Sequence, residues 1–152
     1  MLTKPFTLLL LALGAHAAAA DTDRHFINGE RTAAQTPPPI SDGVLVGNTL
    51  YISGHLSVDP KTGQVPVDPQ AEAKLVMDRV KRTVESAGLT MDDVVSIQVF
   101  CTDLALFDTF NSVYRSYFPH GFPARAFLGA GALLRGAHFE VLGVAVRRPS
   151  KP

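Results

Sequence analysis

The chain has 152 residues with 14 basic and 14 acidic side chains, so its formal charge is zero. Nothing in that balance supports non-specific binding to nucleic acid or to an anionic membrane. Cys101 is the only cysteine, which excludes an intrachain disulfide, and the length suits one domain with its own core.

Residues 1–20 have the make-up of a secretory signal: Lys4, an apolar run from Phe6 to Gly14, and a small-residue tail from Ala15 to Ala20. The apolar run is too short for a bilayer span, which needs roughly 20 residues. Cleavage after Ala17 or Ala20, the latter favoured by the charged run that begins at Asp21, leaves an exported protein of about 130 residues, periplasmic or extracellular, with no membrane segment. Residues 21–39 mix charge, Gly29 and the triplet Pro37-Pro38-Pro39 without helical or strand periodicity, and read as an extended arm.

Two short β-rich runs follow about the Gly47-Asn48 turn, a hairpin signal, and Pro60 and Gly63 mark a turn. Asp68 and Pro69 open a helix as N-cap and first residue. Ala73, Val76, Met77, Val80 and Val84 lie at helical spacing along it, and Gly88 ends it. Residues 94–100 alternate as a strand with one buried face. Asp103 caps a second helix with Phe107, Phe110, Tyr114 and Tyr117 on its core side, closed by Pro119 and Gly121. Strands over 124–133 and 137–147 complete the order ββαβαββ. Two helices of roughly 14 to 20 residues cover one face of a mixed sheet, and the apolar residues of the other face call for a second subunit.

Neither H-x-x-x-H nor C-x-x-C spacing occurs, and His25, His55, His120 and His138 are scattered, so no metal site is visible. Gly129-Ala130-Gly131 reads as a strand of small residues and not as a phosphate cradle. Cys101, at the end of an apolar run, reads as a buried structural thiol. Arg125 stands out, a permanent charge at the start of a strand of Ala, Phe, Leu and Gly. It needs either an acid across the sheet or an anionic ligand, which its planar fork can hold bidentately. Glu140 is the only acid within residues 137–144. Unpaired, it would have a raised pKa suited to proton transfer; paired, it would bridge to Arg125 on an adjacent strand. The pattern leaves both open.

With these residues in view, the chain from about Ile40 to Arg148 resembles the RidA/YjgF family of enamine/imine deaminases, also known as L-PSP endoribonucleases. The resemblance rests on Gly47-Asn48-x-x-Tyr51-x-Ser53-Gly54, Asp59-Pro60-x-Thr62-Gly63, Phe107-x-x-Phe110-Asn111-x-x-Tyr114, Phe122-Pro123-Ala124-Arg125 and the strand from Glu140 to Arg148. It implies a chorismate-mutase-like domain over residues 40–149, a homotrimer with sites in the clefts between subunits, and hydrolysis of 2-imino or enamino acids to 2-keto acids and ammonia without metal or organic cofactor. By the same resemblance Arg125 holds the substrate carboxylate, Ser53 hydrogen-bonds the substrate, Glu140 positions the attacking water, and Asn111 supports the site.

Two departures bear on the cleft: Ile40 stands in place of a common tyrosine, and Phe127 in place of a frequent cysteine, which changes the pocket's volume. His55 replaces a common glutamine and reads as an incidental surface or packing histidine. The departures motivate a second expectation, an exported, non-catalytic binder of small carboxylate metabolites. Ribonuclease activity has no electrostatic footing in a neutral chain.

Overall fold

The computed structural model describes residues 23–29, 39–59 and 61–148, so the signal-like segment and most of the expected arm lie outside the described residues. The elements in chain order are β1 (Arg24–Ile27), β2 (Gly43–Val46), β3 (Thr49–Leu56), α1 (Pro69–Ser86), β4 (Val94–Cys101), α2 (Phe107–Tyr114), β5 (Ala124–Gly129) and β6 (Phe139–Val146). They form one sheet in the order β1-β2-β3-β6-β4-β5. Only the β4·β5 pair is parallel. This is the mixed sheet with two helices on one face that the sequence predicts.

Four expectations need correction. The arm is not without structure, because residues 24–27 pair with β2 as an edge strand. With Phe26 64% exposed and only Ile27 partly buried, this strand has no alternation to read. The strand expected over 124–133 stops at Gly129, opposite Cys101, where its only partner β4 ends. Likewise β6 starts at Phe139 and not at 137, because Ala137 is held in a turn by its bond to the Leu134 carbonyl (3.3 Å). The second helix is also three pieces, α2 flanked by 3-10 turns over Leu104–Leu106 and Arg115–Tyr117. Ser112 and Ser116 hydroxyls donate to carbonyls three residues back (2.7 Å each), the local competition that tightens such turns.

Helix α1 forms as its sequence dictates. The Asp68 carboxylate accepts from the Gln70 and Ala71 amides, Pro69 occupies the first turn, and Gly88 leaves the helix at a positive φ of 70°. Its stripe of Ala73, Val76, Met77, Val80 and Val84 is fully buried against Leu50, Ile52, Ile97, Val99, Val141 and Ala145 of the sheet. The sheet's opposite face has no such layer among the described residues: Tyr51 is 55% exposed and Val95 47%. No described helix is long and apolar enough to cross a membrane.

A bulge in β3 sets which residues face the core. Ile52 pairs with Gly143 and His55 with Val141, so Ser53 and Gly54 together oppose Leu142 alone. The extra residue turns both Ile52 and His55 inward. His55 is buried, with Nε2 2.9 Å from the Thr83 hydroxyl, so of the two expectations it is a packing residue and not a surface one. Burial, then the charge of Arg79, pushes its pKa down to about 4. Cys101 is buried as expected, its thiol 3.0 Å from the Asp103 carbonyl and its pKa raised by burial.

A polar cluster absent from the sequence reading centres on Glu72, fully buried in α1. Oε1 accepts a short bond from the Ser57 hydroxyl and the His138 amide (2.7 Å), while Oε2 lies 2.8 Å from His138 Nδ1. It ties the start of α1 to one end of the β3–β6 pair, where β3 finishes and β6 begins. Glu72→Ala removes every acceptor from that cluster and is expected to cost about 3 kcal/mol in urea denaturation. Glu72→Gln retains an acceptor for the amide and a donor for the ring, and is expected to lose less than half as much.

His55 gives a pH dependence of definite sign. Its folded pKa of about 4 lies below its ordinary 6.5, so between these values the unfolded chain binds more protons. Its contribution is therefore complete above pH 6.5 and is lost as pH falls toward 4, a loss of about 3 kcal/mol. Unfolding free energy measured across that range should fall more steeply in wild type than in His55→Gln.

Candidate active site

Strand β5 is an edge, and Arg125 stands on it opposite Ile97, on the helix-covered side. It makes no ion pair among the described residues. Its guanidinium carbon instead sits 4.5 Å from the Tyr114 ring centroid and 5.8 Å from those of Phe107 and Phe127. Aromatic faces stabilise the cation without occupying its N–H donors in the guanidinium plane. Those donors border a pocket of about 220 Å3 lined by Asn111, Tyr114, Arg115, Phe122, Pro123 and Arg125. Burial pushes the Tyr114 phenol up to about 12, against the opposing charge of Arg125, and its buried hydroxyl has no hydrogen-bond partner among the described residues.

Glu140 belongs to a different surface. On β6 its neighbours Phe139 and Val141 point into the core, so the carboxylate points to the open face of the sheet. It lies over the β3 bulge so closely that a Cβ at Gly54 would collide with its Oε1. Ser53 is fixed beside it, its amide bonded to the Asp42 carbonyl (3.0 Å) and its hydroxyl donating to the Ser41 carbonyl (2.7 Å). The serine oxygen keeps lone pairs to accept a bond. Ile40, 51% exposed, immediately precedes that Ser41 anchor.

A bridge between Arg125 and Glu140 on adjacent strands is ruled out within one chain. Strand β4 lies between β5 and β6, and on it Arg125 aligns with Ile97 while Glu140 aligns with Phe100. Those positions are three apart, and strand side chains alternate with period two, so the two groups face opposite sides. The site residues expected from sequence thus fall into two sets. Arg125, Asn111 and Phe127 stand together on the helix side; Ser53 and Glu140 stand on the open face, with Ile40 adjoining Ser41.

Phe127 also differs from expectation. Its ring is directed into the aromatic cluster, 5.0 Å from Phe107 and 5.5 Å from Phe110, and does not line the pocket. The substitution fills core beneath the arginine and does not narrow the pocket. Sequence reasoning missed Tyr114, Arg115 and Phe122 as pocket residues. A signal existed, since Asn111 and Arg115 are four apart and share a helix face. Among the described residues no three His, Cys, Asp or Glu side chains are grouped to hold a metal ion.

The sequence model of the Endoribonuclease L-PSP family matches residues 31–147. The chain belongs to that family, which is the RidA/YjgF family. Over 113 residues it is 41% identical to the 2-iminobutanoate/2-iminopropanoate deaminase of Escherichia coli K12, covering 72% of this chain and 88% of that protein. The Bos taurus protein of the same name is 40% identical over 112 residues, covering 73% and 82%. Among solved structures, the E. coli YjgF gene product superposes with a TM-score of 0.73 at 38% identity, covering 82% of this chain and 99% of that one. E. coli TdcF with bound serine gives 0.73 at 34% identity, covering 80% and 98%. As in this family, the fold is chorismate-mutase-like.

Proposed function

We propose that this L-PSP family member hydrolyses small 2-imino acids, and the enamines in equilibrium with them, to 2-keto acids and ammonium in clefts between copies of the chain. The observation that carries the reading is Arg125, a cation with no acid partner among the described residues, set in an aromatic frame at a pocket. The deaminase names of relatives at about 40% identity support the same chemistry.

Arg125 takes the substrate carboxylate bidentately, which fixes the position of C2. Glu140 of a neighbouring copy holds a water against C2 and accepts its proton. The water oxygen bonds to C2, the C=N π electrons return to nitrogen, which takes up the proton held by Glu140, and the resulting carbinolamine expels ammonia as its hydroxyl proton passes to nitrogen and its oxygen becomes the keto group. One water is consumed per ammonium released. The opposite facing of Arg125 and Glu140 supports a site shared between subunits, and the uncovered apolar face with Tyr51 and Val95 supports their assembly, as a homotrimer by family resemblance. The signal-like residues 1–20 support work outside the cytoplasm.

The test generates imines with an amino-acid oxidase and catalase and measures hydrolysis against semicarbazide trapping. Arg125→Ala and Glu140→Gln should each reduce kcat/KM by about 100-fold or more. Equal mixtures of the two variants, unfolded and refolded together, should regain about a quarter of wild-type activity, because a random mixture leaves that share of two-subunit sites intact. No imine hydrolysed faster by wild type than by Arg125→Ala would overturn the reading. Gly54→Ala should melt within a few degrees of wild type, since only the mobile end of Glu140 must move, yet lose activity nearly as far as Glu140→Gln.

Ile40 motivates the second reading, a binder of carboxylate metabolites without turnover, because it lacks the hydroxyl of the tyrosine common at that position. Binding of 2-keto acids that survives Glu140→Ala, with an inactive wild type, would favour it.

A further inference from the structure

A second cation borders the Arg125 pocket. Arg115 follows α2 in its terminal 3-10 turn, and its backbone amide bonds the Asn111 carbonyl, so both residues rise on the pocket side of the helix. The Arg115 guanidinium lies 5.6 Å from the Phe122 ring centroid. Phe122 in turn stacks on Tyr114 at 6.2 Å with 19° between the ring planes, and Tyr114 carries Arg125. The two guanidinium groups are therefore fixed to one pair of stacked rings.

Neither arginine has an ion-pair partner among the described residues, and no Asp or Glu lines the pocket. Two like charges with donors to spare at one small concavity focus a positive potential in a chain whose overall charge is zero. The volume of about 220 Å3 matches about seven waters at liquid density, the scale of a dicarboxylic acid of four or five carbons.

We infer that Arg115 is a specificity-determining residue that binds a second carboxylate, so that the site prefers the imines of acidic amino acids to those of aliphatic ones. The inference rests on the deaminase reading above. With the 1-carboxylate on Arg125, the side-chain carboxylate meets Arg115. The hydrolytic step is unchanged: water adds at C2, the C–N bond breaks and ammonium leaves. An aliphatic side chain leaves the Arg115 donors to solvent and gains nothing from them.

The experiment compares kcat/KM for imines generated from aspartate and glutamate with those from alanine and 2-aminobutanoate. Arg115→Gln should lower the dicarboxylate-to-monocarboxylate ratio about fivefold, the size expected of a partly exposed charge contact, and Arg115→Glu should lower it further. Arg115→Lys should restore part of it. Lys81→Gln, which removes the same charge from α1 outside this pocket, should leave the ratio unchanged. Calorimetric titration with 2-oxoglutarate and 2-oxobutanoate separates the two readings. If no imine is turned over but the affinity ratio still falls in Arg115→Gln, the deaminase reading fails and the second anion site stands. Ratios that are the same in wild type, Arg115→Gln and Arg115→Glu, in both binding and turnover, overturn the inference.

Discussion

One constraint governs this molecule: the sheet alternates its side chains strictly, and the described residues cover only one of its faces. Every odd-numbered position of β6 from Phe139 to Ala145 is committed to the core, so every even-numbered one, Glu140 included, is committed to the other side. The same alternation on β4 carries Arg125 to the helix side. A lone chain therefore separates its most conspicuous cation from its most conspicuous acid. The proposed chemistry draws the two groups from two copies of the chain, and the uncovered apolar face gives a second copy an area to bury.

The bulge at Ser53-Gly54 interrupts the alternation on β3, as a register shift between Val94 and Ser96 does on β4, and it has two effects. On the inner side it lets Ile52 and His55 both pack beneath the helices. On the outer side it exposes a glycine with no Cβ, and the Glu140 carboxylate fills that space. Inserting one residue thus serves the core and seats the Glu140 carboxylate that the proposed reaction uses.

Arg125 is held differently from the two arginines that follow β6. Arg148 pairs with Asp93 and Arg147 bonds the carbonyls that end α1, so their donors are spent within the fold. Arg125 has ring faces around it and no acid partner among the described residues. Aromatic support restrains a guanidinium while leaving its hydrogen-bonding plane available, which a carboxylate partner would not. The Phe107, Phe110 and Phe127 cluster beneath it ties that restraint to the core, since Phe110 is fully buried against Phe139 of the central sheet.

The sequence by itself determined the domain's class and the extent of α1, because helical and strand periods and the Asp68-Pro69 cap are local properties of the chain. Arg125, Glu140, Ser53 and Asn111 could be singled out for the same reason, each being a polar residue in an apolar or motif-bearing stretch. Strand order is not local, and it alone decided that β4 separates β5 from β6 and that Arg125 and Glu140 cannot meet in one chain. Edge pairing of residues 24–27, the buried Glu72 cluster and the joining of Arg115 to the Arg125 pocket were equally decided by tertiary contacts. A residue that looks like an ordinary surface charge or a helix-face acid acquires its role only from what folds against it.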